Sequence, residues 1–140
     1  MSVGEICNRE VIVVQRDDSA LQAAKIMRQH HVGEVLVVNE RNGRRIPVGI
    51  VTDHDLVMEI LAPELDATVI TVGDIMSTKL ATVKGSDGVF DAIRYMQDKG
   101  LQRLPVVDDG GGLIGTVTLD DLLAFLAGGY SALPRPMERE

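Results

Sequence analysis

The sequence predicts an α/β fold: two tandem β-α-β-β-α repeats packed together as one module. Three observations predict it. The chain matches itself at a nearly constant offset, and each copy alternates β-branched runs with segments of helical periodicity. Each copy, at about 60 residues, is also too short to bury much core alone.

Shifted by 69 residues, Val3-Gly4-Glu5-Ile6 falls on Val72-Gly73-Asp74-Ile75, Asp18 on Asp87, Ala23 on Ala92, Met27 on Met96 and Val37-Val38 on Val106-Val107. The offset then becomes 66, because the first copy carries three more residues in Asn39–Pro47. Gly49-Ile50-Val51-Thr52-Asp53-His54-Asp55-Leu56 meets Gly115-Thr116-Val117-Thr118-Leu119-Asp120-Asp121-Leu122. A length change confined to a polar turn is what duplicated folding units show. The repeats are residues 3–62 and 72–127; residues 128–140, with Pro134 and Pro136, read as a loose tail.

In order along each copy, Val11–Val14 and Ala81–Val83 are short β-branched runs. Ser19–His30 and Gly88–Lys99 follow as helices, with core faces Leu21, Ala24, Met27 and Val89, Ile93, Met96. Asp18 or Ser19 caps the first, and Ser86 or Asp87 the second. Val35–Val38 and Leu104–Val107 are buried strands. They turn at Asn42-Gly43 and Gly110-Gly111-Gly112 into partner strands Val48–Val51 and Leu113–Val117. Asp53–Leu61 and Leu119–Ala127 close each copy as helices, ended by Pro63 and by Gly128-Gly129.

Composition narrows the function. Hydrophobic residues make up 45% and charged residues 25%, as in ordinary globular proteins, so wholesale disorder is excluded. No apolar run approaches the ~18 residues that span a bilayer. The amino-terminal stretch lacks a secretion pattern, and a single cysteine forbids an internal disulfide, so the expected compartment is cytoplasmic. Fourteen Lys and Arg against 21 Asp and Glu leave a formal charge of −7. The basic residues are scattered, and Phe90, Tyr95, Phe125 and Tyr130 form no stacking platform, so nucleic acid and anionic membranes are not expected partners.

The pattern with chemical potential is G-x-V-T-x-x-D-L, where the last strand of each copy meets its last helix. Thr52 and Thr118 stand where a helix begins, with Asp55 and Asp121 three residues on. A threonine hydroxyl beside free helix N–H groups suits an anion, and a carboxylate suits a vicinal diol such as a ribose. Gly49 and Gly115 read as leaving room for a ligand. The same Thr-x-x-Asp spacing is also a capping box that needs no ligand, and duplication copies caps as faithfully as sites.

The duplicated unit with this motif, and Gln102-Arg103-Leu104-Pro105-Val106-Val107-Asp108 upstream, resembles the CBS domain family over about Val3–Leu126. The resemblance implies a CBS-pair (Bateman) module with two pseudo-symmetric clefts. It implies AMP, ADP, ATP or S-adenosylmethionine as ligand, and assembly as a homodimer. Carried over, one cleft uses Thr118 and Asp121 with backbone from Asn8 to Val13 and from Val32 to Gly33, and Arg103 reaches the phosphate. The other uses Thr52 and Asp55 with Ser77 to Thr82 and Leu101 to Gln102; there Glu34 replaces the arginine. Unit charges about 4 Å apart interact by roughly 4 kcal/mol at a screened dielectric of ~20, so phosphate is expected at the Thr118/Asp121 cleft. The Thr52/Asp55 cleft is expected to stay empty or to prefer adenosine or a sulfonium ligand. The first copy also departs from the second in having Leu36 where Pro105 stands.

Other residues read as structural. Cys7 aligns with Met76 and is assigned an apolar contact. His30, His31 and His54 have no partners at metal-ligand spacing, so no metal is expected. The triple glycine lacks the context of a phosphate loop. No nucleophile–base arrangement is legible, so neither catalysis nor a catalytic cofactor is expected. The expected function is a regulatory sensor of an adenine nucleotide or S-adenosylmethionine, read out by a partner protein that the sequence does not identify. A ligand-independent dimerisation module is the alternative, and an enzyme acting on a substrate in the cleft is the remaining rival. The apolar residues Leu122, Leu123, Phe125 and Leu126 exceed what one helix face needs and add to the homodimer expectation.

Overall fold

A computed structural model describes residues 1–128; the expected tail lies outside the described residues from position 129 on. The chain divides into two compact units. One is Ile12–Leu80, and the other joins Met1–Val11 to the residues from Ala81 on. The units therefore do not follow the repeat boundaries: the opening segment of each repeat belongs with the body of the other.

In the unit Ile12–Leu80, β1 (Val13–Gln15) leads to α1 (Ala20–His30), β2 (Glu34–Arg41), β3 (Arg44–Thr52) and α2 (Asp53–Leu56). The last runs straight into a π-helical turn (Val57–Leu61), and α3 (Val72–Ile75) closes the unit. The sheet order is β1-β2-β3, with β1 parallel and β3 antiparallel to β2. Asn42 and Gly43, at φ 52° and 77°, form the two-residue turn that joins Arg41 to its partner Arg44. Val14, Ala23, Met27, Val35, Val37, Val51 and Val72 make the core.

In the other unit a short 3₁₀ turn (Val3–Glu5) precedes β4 (Val83–Lys84), α4 (Val89–Lys99), β5 (Arg103–Val107), β6 (Leu113–Thr118) and α5 (Leu119–Leu126). Its sheet repeats the topology as β4-β5-β6. Val3, Ile6, Met96, Leu104, Val106, Val117 and Leu122 lie at the centre of its core. At the β5–β6 turn the Asp108 carboxylate accepts from Gly110 N–H and Gly112 N–H, each at 2.9 Å.

Three local expectations are corrected. The buried face of α1 is Ala20, Ala23 and Met27 rather than Leu21, Ala24 and Met27. Small residues there let the helix lie close to the sheet. Ser19 caps α1 as expected, but α4 is capped by Gly88 and not by Ser86 or Asp87. The Asp87 carboxylate instead accepts from Lys84 N–H at 3.0 Å, tightening the turn after β4. The segment Asp53–Leu61 is not one uniform α-helix: its second half takes π spacing, with Ala62 N–H donating to Val57 O at 2.8 Å.

The glycines of the repeated motif are corrected as well. A Cβ on Gly49 would lie 2.6 Å from Met76 Sδ and 2.8 Å from Ser77 O; one on Gly115 would collide with Asn8 O and stand 2.9 Å from Cys7 Sγ. The room they leave is filled by the protein's own backbone. Asn8 and Thr116 exchange two backbone hydrogen bonds at 2.8 and 2.9 Å, and Ser77 and Ile50 do the same at 2.9 and 3.0 Å. Gly115→Ala is expected to cost about 1–3 kcal/mol by overpacking against this segment. Chemical denaturation should show it as a lower midpoint; a wild-type midpoint would contradict the tight fit.

Candidate functional site

Each unit presents one strand-to-helix junction, and the local sequence explains both. β3 ends at Thr52 and β6 at Thr118, in extended backbone, and each threonine is the N-cap of the helix that follows. Asp55 N–H donates to Thr52 Oγ1, and Asp121 N–H donates to Thr118 Oγ1, both at 3.1 Å. The preceding strand fixes the neighbour. Glu34 is the cross-strand partner of Thr52, and Arg103 is the partner of Thr118. Directly opposed residues share a sheet face with Cβ atoms about 4.5–5.5 Å apart.

The junctions differ in what their carboxylates do. Asp55 Oδ2 accepts from Thr52 N–H at 2.9 Å, completing a reciprocal capping box. Asp121 returns no such bond, and among the described residues its carboxylate accepts none. The cap reading thus accounts for both polar side chains at Thr52/Asp55, but only for the threonine at Thr118/Asp121. A part-buried carboxylate one turn into a helix, beside a threonine hydroxyl and with an arginine as the threonine's cross-strand partner, has the donors and acceptors for a diol and an anion.

The remaining candidates distribute as follows. Asn8 is in the same unit as Thr118, Asp121 and Arg103, hydrogen-bonded to Thr116 on the same strand, while Val13, Val32 and Gly33 belong to the other unit. Gly33 O accepts from Asp53 N–H at 2.8 Å, which places Val32 and Gly33 beside the Thr52 junction. Ser77 is in the unit of Thr52 and Asp55 and pairs with Ile50. Thr82, Leu101 and Gln102 lie in the unit of Thr118, where Gln102 O accepts from Leu119 N–H at 2.9 Å. Thr82 lines an open hollow of about 320 Å³ with Val83, Asp87, Asp91, Ala92 and Tyr95; Thr118, Asp121 and Arg103 are not among its walls.

Sequence reasoning missed two features. Thr71 and Asp74 form a further reciprocal capping box, at 3.2 and 3.3 Å, at the start of α3. Its signal, Thr-x-x-Asp before Ile75, was present in the chain. The second is Asp53, whose Oδ2 lies 3.1 Å from where a Cβ on Gly33 would be and whose Oδ1 accepts from His54 N–H at 2.8 Å. Cys7 packs against the core, and burial pushes its thiol above the ordinary range, as for an apolar contact rather than a reactive thiolate. Among the described residues no group of His, Cys, Asp or Glu could hold a metal ion, and no helix is long and apolar enough to cross a membrane.

The difference between the carboxylates has a measurable consequence without any ligand. Asp55→Ala is expected to lower the stability of the free protein more than Asp121→Ala, by about 0.5–1.5 kcal/mol, because only the first removes a hydrogen bond. Equal losses in paired denaturation curves would contradict the geometry.

Comparison with known proteins follows the same two-copy division. The CBS domain model matches residues 3–62 and 72–128. The MK0525 protein of Methanopyrus kandleri is 41% identical over 123 residues, covering 88% of this chain and 61% of that protein, so the chain spans less than two thirds of this relative. Among solved structures, CBSX2 in complex with AMP is similar with a TM-score of 0.72 and 27% identity, over 91% of this chain and 96% of that one. The CBS domain pair of protein MJ0100, in complex with 5′-methylthioadenosine and S-adenosyl-L-methionine, is similar at 0.70 and 27%, over 92% and 97%.

Proposed function

The chain belongs to the CBS domain family as a tandem pair, and from that premise we propose that it is a regulatory module that senses an adenosyl ligand and is not itself an enzyme. The ligand is an adenine nucleotide or S-adenosylmethionine. Binding shifts the balance between arrangements of the module, and a partner protein reads the shift. Complexes of similar CBS pairs with AMP and with S-adenosylmethionine support the ligand class.

The observation that carries this reading is the uncommitted carboxylate of Asp121 beside Thr118, with Arg103 across the strand. In the proposed site Asp121 takes the ribose hydroxyls, the Thr118 hydroxyl donates to the sugar or phosphate, and Arg103 meets the phosphate. Asn8, paired with Thr116 on the same strand, supplies backbone to this set. Thr52 and Asp55, with Ser77 paired to Ile50, form the second set.

One observation favours a second reading, a ligand-independent dimerisation module. The Thr52/Asp55 box is complete without ligand, and Val57, Met58, Leu61 and Leu65 are about half exposed or more along one segment.

Thermal melting with AMP, ADP, ATP, S-adenosylmethionine and adenosine separates the two. A ligand at about 100 times its dissociation constant stabilises the fold by about 2.7 kcal/mol, readily visible as a raised midpoint. The sensor reading expects such a shift with at least one of these compounds and its loss in Asp121→Ala. A flat response to all five, with an unchanged dimer mass, would leave the dimerisation module.

A further inference from the structure

We infer that the arginine-bearing tip of the β2–β3 hairpin is a docking site for a short acidic protein segment, one with two or more neighbouring Asp or Glu side chains. The inference gives a surface to the partner protein of the functional reading above. It rests on that reading only for the purpose of the contact; the contact itself needs no nucleotide.

The sequence builds this tip only once. The first copy carries three more residues than the second, in Asn39–Pro47, and they lengthen its hairpin. β1 pairs with β2 only from Leu36 to Val38, while β2 and β3 stay paired through Asn39↔Ile46, Glu40↔Arg45 and Arg41↔Arg44. The outer end is thus a two-stranded ribbon, and residues 40–44 are exposed. The β5–β6 hairpin has no such extension, and the acids of its turn are engaged within the unit. There the Asp108 carboxylate accepts from Gly110 N–H and Gly112 N–H, and Asp109 pairs with Lys84 Nζ at 3.9 Å.

Alternation along the ribbon sorts its charges by face. Glu40 and Arg45 oppose each other on one face, where their charges offset. Arg41 and Arg44 oppose each other on the other face, and directly opposed residues have Cβ atoms about 4.5–5.5 Å apart. Like charges so placed destabilise a hairpin, so the fold that carries this pair does not account for it. Among the described residues Arg41 has no hydrogen-bond or ion-pair partner. Two guanidinium forks side by side match neighbouring carboxylates, each of which can accept two parallel N–H bonds. The chain as a whole carries −7, so beyond this tip it repels an extended polyanion or an anionic bilayer. A short acidic segment reaches the arginines without meeting that field.

Fluorescence anisotropy of labelled hexaglutamate, titrated with the full chain and without nucleotide, tests this. The wild type is expected to bind saturably, more weakly as salt is raised, and not to bind hexaglutamine. Arg41→Glu combined with Arg44→Glu is expected to bind about tenfold or more weakly, through loss of charge-assisted hydrogen bonds and gain of repulsion, at an unchanged melting midpoint. Arg41→Gln, which removes one exposed charge and reverses none, is expected to weaken binding as well and decides the matter if the double variant melts early. No saturable binding by the wild type would overturn the inference, as would a folded variant that binds as tightly. Tighter binding of phosphatidylserine vesicles or of a DNA oligonucleotide than of hexaglutamate would also overturn it. So would a smaller sedimentation mass in the double variant, which would make a second copy the occupant. None of these outcomes touches the AMP response, on which the sensor reading stands or falls.

Discussion

Much of the structure depends on a backbone-to-backbone approach that only glycine permits. In each unit the opening segment of one repeat pairs with the last strand of the other, Asn8 with Thr116 and Ser77 with Ile50. Gly115 and Gly49 stand at the point of closest approach. A methyl group there would displace the paired segment, and with it the hydrogen bonds that cover the strand edge. The same opening segments anchor at their other end. Val3 N–H donates to Asp87 O and Gly4 N–H to Gly85 O, each at 2.9 Å. Val72 N–H donates to Asp18 O at 2.8 Å, and Gly73 N–H to Arg16 O at 2.9 Å.

That constraint decides what the junctions can present. With β3 and β6 held by both neighbours, Thr52 and Thr118 leave the sheet at equivalent positions and cap the helices that follow. The scaffold is common to both; the chemistry differs in a few side chains. Asp55 is spent on the backbone of its own cap, whereas Asp121 is not. Duplication supplies two equivalent frames, and the cross-strand partner of the capping threonine is Glu34 in one and Arg103 in the other.

The fold was largely legible because its signals are local. Alternating β-branched runs, the Asn42-Gly43 turn and the apolar spacing of Val89, Ile93 and Met96 each act over a few residues. Where local signals compete, the reading slipped. The face of α1 shifted because Ala20 and Ala23 are buried by close packing rather than by hydrophobic bulk. Gly88 took the cap because Asp87 was already committed to the turn before it. The junctions were legible as Thr-x-x-Asp but their inequality was not, since capping and ligand binding use the same residues at the same spacing. Nor could the role of Gly49 and Gly115 be read, because the segments that fill their space are 27 or more residues away in the chain.

The central claim is that the Thr118/Asp121 junction is an adenosyl-ligand site built on a satisfied helix cap. Amide chemical-shift mapping of the labelled protein during an AMP titration tests it most directly. The account predicts saturable shifts centred on Arg103 and on the amides from Thr118 to Asp121, with the amides around Thr52 and Asp55 little changed. Shifts centred on Glu34 and Thr52, or none at saturating AMP, would contradict it.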